Sequence, residues 1–419
     1  MVAADLLVEH AAQLVTLAGG NHRPRVGPAL RDLGLIVDGA VVAADGQIVA
    51  AGPTAQIRED VRLAPDATVI DASGSVVLPG FVDPHTHLVH AGSRADEFEM
   101  RLRGATYLEI AAAGGGILRT VAATRAADED TLVRLGRVRL DRMLRSGTTT
   151  AEAKSGYGLS VDDELKQLRA IHRLSAQHEI DLIATVLAAH AVPPEWARDP
   201  DGYVDLVTRE ILPAVADEDL AEFCDVFCDV GAFTLAQGRV VLEAGSDLGL
   251  IPKIHADEFS DTGGARLAAE VGAISADHLL RASEDGLAAM AASGTIAVLL
   301  PGTAHFLGLP YADARRMIEM GLPVALASDY NPGSSPTWSM AAIISLACLG
   351  MKMLPSEAIT AATINAAWAI GMAEEIGSLE PGKAADLVIL DVPDYREIAM
   401  AFGAPLVRQV VKRGRVVAG

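Results

Sequence analysis

The sequence predicts an α/β protein in which a (β/α)8 TIM barrel carries a small composite β-sandwich domain formed from the N- and C-terminal segments. Three observations support this fold. In the middle of the chain, eight short runs rich in Val, Ile, Leu and Ala alternate with amphipathic helix patterns, as in a parallel sheet covered by helices. Both chain ends instead show short apolar runs separated by glycine turns, which are typical of antiparallel strands. Histidines and acidic residues follow the predicted strands of the middle region, where the catalytic groups of such barrels gather.

The composition restricts the possible partners. A chain of 419 residues with 50% hydrophobic and 4% aromatic content can bury a large core built mainly from aliphatic side chains. The formal net charge of -21 argues against binding to nucleic acid or to an anionic membrane, because phosphates would be repelled. The first residues lack the basic segment of a signal peptide, and no apolar run reaches the ~18 residues of a membrane-spanning helix. We therefore expect a cytoplasmic protein whose three cysteines are reduced, buried thiols.

The β-sandwich domain is expected to combine residues 1–78 with residues 369–419. In the first segment, Asp-Gly at 38–39 and at 45–46 stands between Val- and Ile-rich runs and predicts hairpin turns. The last segment shows the same pattern of short apolar runs separated by glycine turns. Because neither segment closes a core alone, we expect the two to fold together beside a barrel that occupies residues 79–368.

The barrel strands are predicted from apolar runs that end in polar residues. Between two of them, residues 160–178 show a helical pattern whose apolar side chains fall on one face, with Ser160 placed to cap the first turn toward Asp163. The glycines at 114–116 lack the Lys-Ser/Thr of a phosphate-binding loop and indicate an ordinary loop. The eight predicted strands end near His87, Glu152, His190, Asp229, His255, His278, Pro301 and Asp329.

The first barrel strand runs into the sequence His85-Thr86-His87. Because successive strand side chains point to opposite faces, the two histidines point the same way, which is a geometry suited to metal binding. Five of the 11 histidines fall at predicted strand ends, and an aspartate follows the last strand. The residues concerned are His85, His87, His190, His255, His278 and Asp329.

This order of residues resembles the amidohydrolase superfamily, whose metal-dependent barrels carry two histidines after strand 1, one each after strands 5 and 6, and an aspartate after strand 8. Longer motifs resemble, more narrowly, the imidazolonepropionase family, and the resemblance spans nearly the whole chain. The chain departs from that family at His90, Ser93 and His305, where Phe, Asp and an aromatic residue are more usual. The motifs are PGFVDPHTH (79–87), EAKSGYG (152–158), AHAVPP (189–194), KIHADEFSD (253–261), SADH (275–278), LPGT (300–303) and SDYNPGSSP (328–336).

The resemblance implies one Zn²⁺ or Fe ion per subunit. Three imidazoles and one carboxylate suit either metal. Binuclear relatives bridge their ions with a lysine or glutamate at the end of strand 4, where this chain has Phe-Cys-Asp at 227–229, so a single ion is expected. The implied ligands are His85, His87, His255 and Asp329.

The resemblance also implies the reaction, which is hydrolysis of the ring amide C–N bond of 4-imidazolone-5-propanoate to N-formimidoyl-L-glutamate, in histidine degradation to glutamate. A guanidinium such as that of Arg94 can pair with the substrate carboxylate. Glycines on both sides of Tyr157 would let the backbone approach a ligand. No chemistry is assigned to Lys154. The implied catalytic residues are Glu258, His278 and Asp329, and the implied substrate-binding residues are Arg94, Tyr157, His190, Glu258, Asn331, Gly333 and Ser334.

Two other functions compete with this interpretation. A purine or pyrimidine deaminase of the same superfamily would share every metal ligand and the glutamate after strand 5. Arg94, Tyr157 and the turn after Asp329 favour the substrate with a carboxylate, because a neutral base has none to pair. A catalytically inactive barrel acting as an interaction protein would be expected to lose metal ligands, and here none is lost. We expect a small-molecule substrate and a homodimer.

Overall fold

Two separate eight-stranded sheets organise the chain in the computed structural model, which describes residues 3–19, 22–105, 109–110 and 114–419. In chain order the strands are β1 (Ala4–Val15), β2 (Leu35–Ala44), β3 (Gln47–Pro53), β4 (Leu63–Asp71), β5 (Val76–Pro79), β6 (Phe81–Asp83), β7 (Thr148–Lys154), β8 (Asp181–Ala189), β9 (Phe223–Cys228), β10 (Ile251–Ala256), β11 (Ser275–His278), β12 (Ile296–Leu299), β13 (Val324–Leu326), β14 (Leu387–Leu390), β15 (Val407–Lys412) and β16 (Arg415–Ala418).

Strands β6 to β13 form the barrel. Each is parallel to its neighbour in the sequence, so the order of strands in the sheet follows the chain. The first and last strands meet through backbone hydrogen bonds just beyond their ends: the amide of Asp329 donates to the carbonyl of His85 at 3.0 Å, and that of His87 donates to the carbonyl of Tyr330 at 2.9 Å. This contact closes the ring and sets both histidines beside Asp329. The predicted (β/α)8 barrel is confirmed.

The first barrel strand is shorter than the sequence predicted. It ends at Asp83, because Pro84 has no amide hydrogen with which to extend the ladder to β7. Thr86 then forms an isolated parallel bridge with Tyr330. The segment therefore stays extended, and the two histidines on either side of Thr86 face the same way, as expected.

Helices cover the barrel, and the predicted helix at 160–178 shows how they form. It spans Val161–Gln177, and the Ser160 hydroxyl accepts a hydrogen bond from the Asp163 amide at 3.4 Å, as predicted. Its apolar face, including Leu165 and Leu168, is buried. The α-helices are Thr54–Asp60, Ala95–Leu102, Ile117–Ala126, Glu129–Arg145, Val161–Gln177, Pro200–Leu206, Leu212–Asp217, Leu235–Asp247, Gly264–Glu270, Glu284–Ser293, Pro301–Leu307, Ala314–Glu319, Met340–Met351, Pro355–Ala361, Ile364–Ala369 and Arg396–Met400, with a π-helical turn at Val207–Ile211 and 3-10 turns at Gly27–Arg31 and Pro194–Trp196.

The second sheet takes strands from both chain ends. Its order is β16-β15-β14-β5-β1-β2-β3, with β4 paired to β1. The antiparallel pairing of β14 with β5 joins the C-terminal segment directly to the N-terminal one. A separate apolar core lies here, to which Leu6, Val41 and Leu387 belong. The composite β domain is therefore confirmed, and its boundaries at residues 78 and 368 stay predictions.

The two Asp-Gly dipeptides of this domain behave differently. Asp45 and the glycine after it form the predicted hairpin turn between β2 and β3, and both have positive φ. Asp38 instead lies inside β2 and has a φ of 48°, next to Gly39, whose pairing with Ala11 follows a register shift on β1. The hairpin prediction at Asp38 was wrong, because the left-handed backbone that favours Asp-Gly in a tight turn occurs here within a continuous strand.

Two further expectations from the sequence concerned membrane-spanning helices and the cysteines. Among the described residues, no helix is long and apolar enough to cross a membrane. All three cysteines are free thiols, and Cys224 and Cys228 are buried, as predicted. Cys348 is only half-buried, because it lies on a helix at the outer face of the barrel.

Candidate metal centre and active site

A cavity of about 640 Å³ opens at the carboxyl ends of the barrel strands. The residues that line this cavity lie far apart in the sequence. His85 does not line the cavity and is fully buried beside it. The predicted site residues in the lining are His87, Arg94, Tyr157, His190, His255, Glu258, His278, Asp329, Asn331, Gly333 and Ser334.

Four residues, called here the histidine cluster, converge beside this cavity: His85, His87, His255 and Asp329. Nε2 of His85 lies 3.2 Å from Nε2 of His87. Oδ1 of Asp329 lies 3.6 Å and 3.4 Å from those two nitrogens. The ring centroid of His255 is 4.5 Å from that of His85 and 5.6 Å from that of His87. The structure thus brings all four predicted ligands together.

The histidine cluster fits a metal ion. Both ring nitrogens of His255 are buried and have no hydrogen-bond partner among the described residues, which leaves Nε2 available to a metal. Burial and then neighbouring cationic groups lower the pKa of His85 and of His87 well below the usual value. Both rings are therefore neutral, which is the form that coordinates a metal.

Two of the clustered histidines are held from behind by buried carboxylates. Oδ2 of Asp277 lies 2.6 Å from Nδ1 of His85, and Oδ2 of Asp225 lies 3.0 Å from Nδ1 of His255. A carboxylate at Nδ1 fixes the orientation and tautomer of an imidazole and leaves Nε2 for the metal. Each of the two predicted ligands, His85 and His255, therefore has a buried carboxylate beside Nδ1.

Two fully buried lysines accompany those carboxylates in what we call the lysine network: Lys154, Lys253, Glu152, Asp225 and Asp277. Nζ of Lys154 lies 2.8 Å from Oε1 of Glu152, 2.8 Å from Oδ2 of Asp225 and 3.7 Å from Oδ2 of Asp277. Nζ of Lys253 lies 3.1 Å from Oε1 of Glu152. Burial alone would lower the pKa of Lys154, but these carboxylates raise it above its usual value, so the ammonium stays charged.

Glu258 and His278 face each other at the edge of the histidine cluster. Oε1 of Glu258 lies 3.7 Å from Nδ1 of His278. Burial, followed by the charges of Asp329 and Asp229, raises the pKa of Glu258 well above its usual value, and burial lowers the pKa of His278 to about 3. A carboxyl group with a raised pKa beside a neutral imidazole suits proton transfer near neutral pH.

Two residues of the site have a left-handed backbone. The φ of His278 is 76° and that of Asp329 is 52°. Such conformations cost on the order of 1–3 kcal/mol each and persist only where the surrounding structure enforces them. Backbone strain is therefore present where the chain leaves β11 and β13 and enters the cavity.

Arg94 reaches the cavity with its guanidinium fixed on one side. Its Nε donates to Oε2 of Glu97 at 2.8 Å. A Cβ atom on Gly333 would come within 1.9 Å of Arg94 Nη1, so only glycine allows this approach. A second arginine, Arg101, donates to the carbonyl of Gly333 at 3.2 Å and stacks over Phe306. The cavity thus holds an oriented cation of the kind that recognises carboxylates.

Tyr157 and His190 lie next to His87. The ring of His190 stacks on that of His87 at a centroid distance of 5.0 Å, and the ring of Tyr157 lies 5.9 Å away. Nδ1 of His190 donates to the carbonyl of Gly156 at 3.0 Å. A Cβ atom on Gly156 would lie 2.9 Å from this nitrogen, and its φ is +99°. This glycine therefore lets the loop pack against His190, whereas the sequence had suggested approach to a ligand.

The turn that follows Asp329 is shaped by Asn331. Its Oδ1 accepts hydrogen bonds from the amides of Gly333 and Ser334, both at 2.8 Å. Its Nδ2 donates to the carbonyl of Asp329 at 2.7 Å. The side chain of Asn331 thus holds the turn against the histidine cluster, and substrate binding by these three residues stays a prediction.

The residues that depart from the family pattern lie outside the cavity lining. Nδ1 of the buried His90 donates to the carbonyl of His87 at 2.9 Å, and its ring packs 6.0 Å from that of Tyr157. Burial lowers the pKa of His90 to about 3. His305 is exposed and contacts the Tyr311 hydroxyl at 3.1 Å. Neither histidine joins the cluster.

Sequence reasoning missed the residues whose hydrogen bonds position the predicted site residues. Glu97 fixes Arg94, and the Thr303 hydroxyl donates to Oδ2 of Asp329 and leaves Oδ1 toward the histidines. The sequence does carry a signal for the buried carboxylates: Ser275 and Asp277 alternate with apolar residues on one strand, which is the pattern of side chains facing a barrel interior.

Comparison with known proteins places this fold and site among the amidohydrolases. Two amidohydrolase family models match residues 240–417 and residues 68–114. E. coli guanine deaminase superposes with a TM-score of 0.76 over 98% of this chain and 98% of its own, at 15% identity. An adenosine deaminase from Xanthomonas campestris with bound zinc gives 0.72 over 99% of this chain and 93% of its own, at 20% identity. At these identities the likeness shows the fold alone.

Relatives with similar sequences narrow the class of protein to one family. The imidazolonepropionase of Geobacillus kaustophilus (strain HTA426) is 58% identical over 414 residues, which cover 98% of this chain and 97% of that protein. The imidazolonepropionase of Symbiobacterium thermophilum is 56% identical over 415 residues, which cover 99% of this chain and 97% of that protein. The chain belongs to the imidazolonepropionase family, as its motifs predicted.

Proposed function

We propose that this chain is a metal-dependent hydrolase that opens the ring amide of 4-imidazolone-5-propanoate and releases N-formimidoyl-L-glutamate. The observation that carries the proposal is one cavity that is bordered by the histidine cluster and lined by a guanidinium that Glu97 holds in place. The full-length similarity to imidazolonepropionases supports it.

One Zn²⁺ or Fe ion would be held by the four residues of the histidine cluster. When bound, such an ion lowers the pKa of a coordinated water and polarises the carbonyl that is attacked. The ligands come from three strand ends, and the carboxylates behind His85 and His255 keep their Nε2 atoms directed at one point.

Arg94 would bind the propionate group of the substrate. Its guanidinium is oriented by Glu97 and by close packing against Gly333, so little side-chain freedom is lost when a carboxylate pairs with it. Tyr157 and His190, whose rings lie beside His87, would contact the imidazolone ring. The turn at residues 331–334 would contact the propionate or the opened formimidoyl group.

Glu258 would move the proton. As a carboxylate it takes a proton from the attacking water while the water oxygen bonds to the ring carbonyl carbon. It then gives that proton to the ring nitrogen as the C–N bond breaks, so the product gains one carboxyl group and one N–H. The second proton of the water is released to solvent when that carboxyl group ionises. Its raised pKa suits both steps, and His278 at 3.7 Å positions the carboxyl group and shares in the transfer.

A deaminase of purines or pyrimidines would use the same metal ligands, and solved deaminases share the fold. Arg94 distinguishes the two functions, because a neutral base offers no carboxylate to pair with its half-buried guanidinium. Guanine, cytosine and imidazolonepropionate assayed side by side with one preparation test this. Turnover of the last substrate alone supports the proposal, and turnover of a base alone contradicts it.

We further propose a cytoplasmic homodimer that acts on this small-molecule substrate, on the basis of the family resemblance. Metal analysis of the purified protein identifies the ion. A metal content far below one equivalent in a folded sample that cannot be reloaded would favour an interaction protein without catalysis.

A further inference from the structure

The lysine network takes no part in the proposed reaction, although it is fully buried in the barrel interior. Two of its carboxylates touch the ligand histidines, and all three of its carboxylates lie within 4 Å of one ammonium group, that of Lys154. The arrangement therefore connects a single lysine to two metal ligands.

We propose that Lys154 is a positioning residue for the metal centre: its ammonium group holds Asp225 and Asp277 where these carboxylates orient His255 and His85. This inference rests on the proposed metal ligands. It gives Lys154 no contact with substrate.

The same carboxylate oxygens make both contacts. Oδ2 of Asp225 lies 2.8 Å from Nζ of Lys154 and 3.0 Å from Nδ1 of His255. Oδ2 of Asp277 lies 2.6 Å from Nδ1 of His85 and 3.7 Å from the ammonium. Each oxygen therefore bridges the cation and an imidazole, and removing the cation changes what that oxygen offers to the ring.

The cation is needed because three buried carboxylates lie close together. Without a positive charge among them, mutual repulsion would favour a change of rotamer that separates the three carboxylates. The oxygens of Asp225 and Asp277 would then move away from Nδ1 of the two imidazoles. His255 and His85 would then lose the fixed orientation that metal binding requires.

Lys253 provides a matched comparison. It is equally buried and lies on β10, but its ammonium contacts Glu152 at 3.1 Å and the carbonyls of Pro84 and Ala369 at 3.3 Å. Among the described residues, no ion pair joins it to Asp225 or Asp277. Lys253→Met therefore removes an equally buried charge without breaking an ion pair to Asp225 or Asp277, although the charge of Lys253 also acts on Asp277.

The test compares metal affinity in the two lysine variants. Metal-free full-length protein is titrated with Zn²⁺ against a competing chelator, and thermal unfolding of the metal-free forms is recorded in parallel. Lys154→Met should raise the Kd for Zn²⁺ by about 10–100-fold, whereas Lys253→Met should leave it within about threefold of wild type, although both unfold at lower temperature. A Kd for Lys154→Met within about threefold of wild type, or equal weakening by both variants, would overturn the inference.

Isosteric variants keep the inference testable if Lys154→Met does not fold. Asp225→Asn and Asp277→Asn should each weaken Zn²⁺ binding and alter the visible spectrum of the Co²⁺-loaded protein. Where the double variant folds, Lys154→Met should add little in the Asp225→Asn background, because the two residues act in one chain of contacts. Wild-type Zn²⁺ affinity in both Asn variants contradicts the inference alone, whereas a wild-type protein that binds no metal contradicts the proposed function.

Discussion

The histidine cluster and the lysine network lie in the same barrel and share only strand β10, and their polar atoms are satisfied in different ways. In the lysine network, the ammonium groups of Lys154 and Lys253 pair with buried carboxylates. In the histidine cluster, two ring nitrogens face each other across 3.2 Å and Nε2 of His255 has no partner in the described chain. Ion pairs therefore neutralise the lysine network within the fold, although Oε2 of Glu152 and Oδ1 of Asp225 have no hydrogen-bond partner in the described chain. The histidine cluster has no such cation of its own, which is why we expect it to respond to metal binding.

The largest effect is expected from His255→Ala. Three remaining ligands would hold the ion poorly, so metal content and activity should both be lost while the barrel stays folded. Metal analysis and circular dichroism of the same sample measure this. The exposed His305, changed to Ala, serves as the control and should keep both. Full metal content with normal turnover in His255→Ala would remove His255 from the site.

Glu258→Gln should lower kcat by about 10²–10⁴ without changing metal content, because the amide keeps the size of the side chain but cannot carry the proton. Holo-enzyme kinetics, expressed per bound metal, measure this. A value within about threefold of wild type would exclude the proton-transfer role.

The pH profile of kcat provides a separate test of Glu258. The carboxylate form takes the first proton, and burial raises the pKa of this group. Activity should therefore fall as the pH drops through that raised pKa, which places the acid limb above the range of an ordinary glutamate at about 4.3. Glu258→Gln should lack this limb. An acid limb that persists unchanged in the variant would assign it to another group.

Arg94→Ala should raise KM for imidazolonepropionate at least tenfold, since a charge-assisted hydrogen-bonded pair contributes roughly 1.5–3 kcal/mol. Steady-state kinetics with a ring amide that lacks the propionate supply the comparison. The KM for that compound should rise far less in Arg94→Ala. An equal rise in KM for both compounds would mean that Arg94 does not recognise the carboxylate.

The smallest effect is expected from His90→Phe, outside both groups. The aromatic ring keeps its packing beside Tyr157 but loses the hydrogen bond to the carbonyl of His87, which costs about 0.5–1.5 kcal/mol of folding stability. Denaturant unfolding should show this change while kcat stays within about threefold. Loss of metal from this variant would show that His90 supports His87 directly.

The sequence predicted the barrel well because the patterns that indicate its strands, its helices and the paired histidines each span only a few residues. The eight apolar runs, the cap at Ser160 and the spacing of His85 and His87 can each be read within a few residues. Asp38 was mistaken for a turn because the left-handed backbone that favours Asp-Gly in a hairpin occurs there inside strand β2. The terminal strand pairing of β14 with β5 was expected only in outline, since register between distant segments leaves no local signal.

The supporting residues of the site were harder to predict for the same reason. Asp225 and Asp277 lie against histidines on other strands, and their alternation with apolar neighbours indicates a side chain facing the barrel interior but not the histidine that it contacts. Lys154 stood inside a recognised motif, yet its proposed role depends on the carboxylates that three strands bring within reach. The spacing of His85 and His87 and the family resemblance predicted the ligands, whereas their supports required the fold.

The central claim is that the histidine cluster must bind an ion before the chain can hydrolyse imidazolonepropionate. The most direct measurement titrates metal-free protein with Zn²⁺ or Fe²⁺ and records, on each sample, the bound metal and the rate of N-formimidoyl-L-glutamate formation. The account predicts no turnover without metal and a rate that rises in proportion to bound ion and levels off at one per chain. Undiminished turnover by metal-free protein, or a fully loaded protein that leaves the substrate intact, would contradict it.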